Sequence, residues 1–255
     1  EQYEPSSEYD SSFALQIFAA REAVFKILAE ESLSIHEKLI VILDMGSKIQ
    51  QCINTDEYDN IKSVVNDYLK EGIAHTLDET RNLSDSGQFE DISLQQGIRQ
   101  ILYPYEEMEV LNPEWEVILK DIIDSLFEQM SDEEYNILNE EFGTYMVSRA
   151  YEYRQLLEYL VFRYFAKSIY DYDFLGKCQM LVTNFFVIRQ MDIIRWLDNH
   201  REYSFKDRMD VVHIFSRQVE YSEDNIENLY EDFIFDDIFK TDSLIAILWI
   251  DSENI

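Results

Sequence analysis

The sequence predicts an all-α fold, a multi-helix globular bundle of about eight or more helices with one central hydrophobic helix near 176–199. Three observations point there. Apolar residues recur at three- and four-residue steps along most of the chain. Only three prolines and six glycines interrupt 255 residues, too little punctuation for a strand-and-turn protein. Ser-x-x-Glu and Ser-x-x-Asp signals, which close helix starts by reciprocal hydrogen bonds, precede several of the periodic stretches.

The first helix is expected over Ser11–Glu31, where Phe13, Ile17, Ala20, Val24, Ile27 and Leu28 make one apolar stripe. Ser34-Ile-His-Glu37 opens the second, whose buried face is Leu39, Ile42, Leu43, Ile49 and Ile53. A short third helix runs from Thr55 to Gly72, with the glycine as its stop. Residues 80–112 read as an irregular connection. Asn82–Gly87 is polar and turn-rich, Tyr103-Pro-Tyr and Asn112-Pro113 are breakers, and a short helix is placed near Leu94–Leu102. The chain is read as a single domain, with any subdomain break expected within 80–112.

Asn112 as cap and Pro113 in the first helical position open a helix to Met130. Ser131-Asp-Glu-Glu134 then introduces a long helical stretch, Tyr135–Tyr170. Residues 176–199 are apolar on nearly every face, as a helix surrounded by others would be. Ser204 caps a helix through Tyr221, and Ser222 starts an acidic helix to Phe239. Leu244–Ile250 fits either a helix or a short edge strand.

Composition narrows the function. Lys and Arg number 21 against 52 Asp and Glu, a net charge of −31. That charge argues against nucleic-acid and anionic-membrane partners, which both need a basic surface. The longest apolar run, Leu244–Ile250, is too short to span a bilayer. Glycine-rich nucleotide fingerprints, paired zinc-type histidines and calcium-loop spacing are all missing. Two cysteines, Cys52 and Cys178, fit buried thiols in a reducing compartment. The first residues carry neither the basic nor the apolar part of a secretory leader, so the expected location is the cytoplasm. Beginning at Glu1 without Met, the sequence is expected to be part of a longer protein.

Three segments resemble the bacterial flagellin lysine-N-methylase family. Phe18–Leu39 is similar to that family's helix with an early Arg (here Arg21), leading through a Leu-Ser link into a second helix. Glu158-Tyr-Leu-Val-Phe-Arg-Tyr-Phe165 is similar to its "eYLvnyvF" helix. Phe215-Ser-Arg-Gln-Val-Glu-Tyr-Ser222 is similar to its "fSRxxEHs" segment, with Tyr221 where the family has His. The three occur in the family's order and cover about residues 13–240. The resemblance implies methylation of the ε-amine of flagellin lysines, with S-adenosylmethionine as donor and flagellin as partner. The family's opening cysteine-rich segment has no counterpart here, so an iron–sulfur or other metal cluster is expected only in that segment. No metal site is assigned to this chain.

The strongest local constellation is His213, Arg217 and Glu220. These share one helix face, opposite Val211, Phe215 and Val219. It reads either as a solvated salt-bridged face or, with Tyr221 and Arg163, as part of a substrate- or partner-binding cleft. Tyr164 is expected in the core with its hydroxyl satisfied, Arg163 at a surface or inter-helix contact, and Arg21 as an anchor between the first two helices. His36, inside a capping box, is expected to be exposed. The acidic stretch Glu223–Asp237 reads as a solvated face or as a docking site for a basic, lysine-presenting protein. The alternative to an enzyme is a non-catalytic acidic all-helical interaction module.

Overall fold

A computed structural model of the protein describes residues 11–85 and 92–253. Helices α1 (Ser11–Ala29) and α2 (Ile35–Asn54) come first. A 3₁₀ turn at Tyr58–Asn60, α3 (Ile61–Asp67), a π turn at Tyr68–Gly72 and α4 (Ile73–Asp85) follow without interruption. Next come α5 (Leu94–Glu106), α6 (Pro113–Ile122) with a second π turn at Ile123–Glu128, and α7 (Asp132–Met146). Two 3₁₀ turns, Val147–Arg149 and Phe165–Lys167, flank α8 (Ala150–Tyr164), and α9 (Ser168–Asp171) is a single turn. Then come α10 (Phe174–Asp198), and α11 (Phe205–Phe215) with a third π turn at Ser216–Glu220. The last elements are α12 (Glu223–Phe235), a 3₁₀ turn at Asp237–Phe239, and α13 (Thr241–Glu253). Among the described residues there is no strand.

The capping signals act as expected. Ser34 accepts from the Glu37 amide while the Glu37 carboxylate accepts from the Ser34 amide at 2.8 Å. Ser131 with Glu134, and Ser204 with Asp207, repeat the arrangement. The predicted stop at Gly72 is overturned: the helix continues to Asp85. Gly72 closes a π turn that brings its Cα against the Asp67 carbonyl, where an added Cβ would lie 3.0 Å from that oxygen.

Much of the 80–112 connection is helical. Residues 82–85 of the predicted Asn82–Gly87 turn belong to α4, and the remainder of that turn lies outside the described residues. Pro104 does not break α5. It sits in the last turn, so that it forfeits one hydrogen bond to the preceding turn and leaves only two residues beyond it, and Trp115 Nε1 donates to the Tyr105 carbonyl there at 3.3 Å. The long Tyr135–Tyr170 helix is divided by the two 3₁₀ turns. The ambiguous tail is helical, with Leu244 to Trp249 all buried.

The chain forms two compact units, each made of two segments. The first comprises the described part of Glu1–Asn82 together with Tyr151–Leu181. Its core joins Ile17, Val24 and Leu28 of α1 with Leu39, Leu43 and Ile49 of α2 and Leu157, Leu160 and Val161 of α8. Gln50 of α2 caps α10. Its Oε1 accepts from the amides of Phe174 (2.8 Å) and Leu175 (3.1 Å), and its Nε2 donates to the Tyr172 carbonyl at 2.9 Å. Asp44 gathers Lys48, Tyr68 and Thr76 around one carboxylate. Burial first, and then the Asp44 carboxylate, push the Tyr68 phenol up to about 12.

The second unit comprises Leu83–Ala150 and Val182–Ile255, in its described part. Gln95 of α5 donates to the carbonyls of Leu126 (2.6 Å) and Met130 (2.9 Å), satisfying the end of the second π turn. Tyr105 of α5 donates to Asn184 Oδ1 at 2.8 Å and Tyr135 of α7 to Gln190 Oε1 at 3.0 Å, both acceptors being buried on α10. Every residue of α10 from 176 to 194 is buried. Among the described residues, no helix is long and apolar enough to cross a membrane.

Candidate functional site

Within the second unit, α6, α10, α11 and the third π turn surround a cleft of about 580 Å³. Glu114, Val117 and Ile118 of α6, Arg195 of α10, Asp210, His213 and Ile214 of α11, and Arg217 line it. Helical spacing explains one wall: Asp210, His213 and Arg217 stand at i, i+3 and i+7. The opposite side of the same helix is apolar, and Val211, Phe215 and Val219 are buried as their spacing predicts. The second wall depends on Asn112, whose side chain accepts from the Glu114 amide at 3.1 Å and sets the start of α6.

A polar latch ties these two walls together. Gln218, in the π turn, accepts from the amides of Leu111 (2.9 Å) and Asn112 (3.2 Å) and donates to the Glu109 carbonyl at 2.7 Å. Asn225 of α12 accepts from the Glu109 amide at 3.0 Å. The loop entering α6 is therefore held by the segment that carries Arg217. A π turn makes i→i+5 hydrogen bonds and often marks a functional position.

Of the sequence-predicted residues, His213 and Arg217 meet in this cleft. Glu220 does not: it is buried, because the π turn advances each residue by less than the α-helical step and rotates position 220 out of the row. Tyr221 follows the turn and is strongly exposed. Arg163 belongs to the first unit, on the exposed side of α8, where its Nε donates to the buried Tyr164 hydroxyl at 3.1 Å. Arg21 lies 5.8, 5.6 and 5.7 Å from the rings of Phe18, Phe25 and Phe162, so these ring contacts join α1 to α8. His36 is buried rather than exposed, and the capping box is made by Ser34 and Glu37 on either side of it.

Sequence reasoning missed Asp210, Arg195 and Glu114. Asp210 carried a signal, since it precedes His213 by three positions on the same face. Arg195 and Glu114 come from other helices and carried none.

Chemically, the cleft brings together two guanidiniums, an imidazole and two carboxylates with the apolar side chains of Val117, Ile118 and Ile214. In a chain of net charge −31 this is a locally balanced site, suited to a small ligand bearing both signs of charge. The residues do not suit an iron–sulfur cluster. Cys52 and Cys178 are both buried, and burial holds the Cys178 thiol well above its usual range. Among the described residues no group of three or more His, Cys, Asp or Glu is placed to hold a metal ion.

Comparison with known proteins gives one match. The family model described as the FliB lysine N-methylase C-terminal domain covers residues 21–247. No curated protein and no solved structure matches the chain.

Proposed function

The chain belongs to the FliB lysine N-methylase C-terminal domain family, and from that premise we propose that it is the helical part of a cytoplasmic enzyme methylating the ε-amine of flagellin lysines. We further propose that its α6–α10–α11 cleft receives the donor, S-adenosylmethionine. The observation that carries this reading is the balanced charge of the cleft. When bound, the donor supplies a methyl group on a positively charged sulfur and an amino-acid tail with both charges.

The residues fit such a ligand. Arg195 and Arg217 offer guanidiniums to the tail carboxylate. Asp210 and Glu114 offer carboxylates to cationic groups, and to the proton that a lysine ammonium must lose before its nitrogen can attack. Val117, Ile118 and Ile214 offer an apolar wall to the purine ring.

Titration calorimetry with S-adenosylmethionine, followed by mass spectrometry of flagellin after incubation, tests the proposal. Arg217→Ala should weaken donor binding about tenfold, or about 1.4 kcal/mol. Being exposed, it should change stability by no more than about 0.5 kcal/mol. Unchanged donor affinity in both Arg195→Ala and Arg217→Ala would remove the donor from this cleft. A second reading, a non-catalytic acidic interaction module, is favoured by the exposed apolar end of α12. Donor binding by the intact chain counts against it.

A further inference from the structure

The inner face of α12 is complete without its last two residues. Ile226, Leu229 and Phe233 are buried, and the following 3₁₀ turn buries Ile238 and Phe239. Between them, Ile234 and Phe235 stand 74 % and 78 % exposed. Leaving two large adjacent apolar side chains in water has no role in the packing of this helix. Such patches mark interaction sites when polar residues rim them.

The rim here is mostly acidic. Glu231, Asp232, Asp236 and Asp237 surround the pair, against a single Lys240, which is engaged with Asp237. The crowding bears on Asp232. Burial first, and then the charges of Asp236, Glu107 and Glu231, hold its carboxyl above the usual range. Beside this rim, α5 and the 3₁₀ turn enclose a groove of about 470 Å³ lined by Arg99, Gln100, Tyr103, Asp236, Asp237 and Ile238, where the Arg99 guanidinium is already paired with Glu106. Tyr103 is about half exposed.

We propose that the C-terminal end of α12 is the docking face for a lysine-bearing segment of the protein substrate. Phe235 and Ile234 would bury an apolar residue of that segment, and the surrounding carboxylates would hold its flanking lysines. This rests on the lysine-methylase reading above for the identity of the substrate, and on charge complementarity for its chemistry. A second copy of this chain would bring its own net charge of −31 against the same carboxylates, and an anionic lipid surface would be repelled likewise. A basic partner is attracted, and anchored where the apolar pair is exposed.

The test measures binding of the full chain to two probes by biolayer interferometry: purified flagellin monomer, and a synthetic helical peptide with leucines at three- and four-residue steps and lysines between them. The double variant Ile234→Ser/Phe235→Ser keeps the charge and should weaken binding at least about tenfold, with S-adenosylmethionine affinity and thermal melting unchanged. Asp236→Asn/Asp237→Asn should reduce the salt dependence of binding. Ile137→Ser is the control, an exposed isoleucine on the equally acidic α7, and should change nothing. Full binding by the Ile234→Ser/Phe235→Ser variant, an equal loss in Ile137→Ser, or failure of the parent to bind either probe overturns the proposal. Phe235-dependent binding of the peptide with no binding of flagellin upholds the face and removes flagellin from the functional reading.

Discussion

Arg208 of α11 and Asp192 of α10 meet at 2.5 Å with both side chains closed off from solvent. Tyr203 donates to the same carboxylate, and the Arg208 guanidinium lies 5.3 Å from the Tyr203 ring centroid. Breaking a buried pair by removing one partner strands the other charge, so Asp192→Ala should lose about 3–5 kcal/mol of unfolding free energy. Replacing both together, as Asp192→Leu with Arg208→Met, should recover most of that loss. Urea unfolding of the three variants measures it. A double variant as unstable as the single would mean that hydrogen bonding to Tyr203, rather than charge pairing, holds α11 in place.

Gly46 and Cys178 exchange space in the first unit. A Cβ at position 46 would stand 2.6 Å from the Cys178 sulfur, which is fully buried and has no room to yield. Gly46→Ala should therefore destabilise the fold by about 1–3 kcal/mol through overpacking. Adding Cys178→Ala should restore part of it, and thermal melts of the two variants decide the matter. An alanine tolerated at 46 with Cys178 intact would show that α2 and the start of α10 can separate at low cost.

Gln218 is the latch between the cleft walls, and Gln218→Ala leaves the amides of Leu111 and Asn112 without their acceptor. Hydrogen exchange at those two amides should accelerate, and stability should fall by about 1–3 kcal/mol. If donor binding uses the cleft, affinity should fall with it, because Glu114, Val117 and Ile118 lose their fixed approach to Arg217. Unaltered exchange at residues 111 and 112 would show that the loop is held by other contacts.

Asp232 makes stability depend on pH with a definite sign. Its carboxyl is held above the usual value by burial and by neighbouring carboxylates. Its protonated form therefore favours the fold, and that contribution fades as pH rises through the folded value. Asp232→Asn should be more stable than the parent at neutral pH. The difference should narrow as pH falls and close below about 3, where aspartate is protonated in both states. Urea midpoints across that range give the slope, and a gap that widens on acidification would reverse the assignment.

Helix starts were legible because serine–carboxylate pairs create them locally: Ser34 with Glu37, Ser131 with Glu134 and Ser204 with Asp207 act within four residues. The buried stripe of α1 and the burial of α10 were legible for a similar reason, since periodicity alone dictates them. The three π turns were not. They depend on what packs against the helix, and each displaces the residues beyond it. Gly72 accordingly looked like a stop, and Glu220 looked like a companion of Arg217. Of the cleft, His213 and Arg217 were legible from their shared face, and Asp210, on the same face, was there to be read but was missed. Arg195 and Glu114 were not legible, because only tertiary packing brings α10 and α6 beside α11.

The interleaving of the two units bears on how the chain is made. The first unit lacks its α8–α9 portion until residue 181 has been synthesised, and the second is incomplete until the end. Between Asn82 and Tyr151 the nascent first unit must hold open a loop made of the other unit's first half. Closing a loop of that length carries an entropic penalty that grows only logarithmically, so the order of emergence matters more than the distance. Cutting the gene near the middle would therefore release two pieces, each carrying part of both units, and neither piece would contain a complete core.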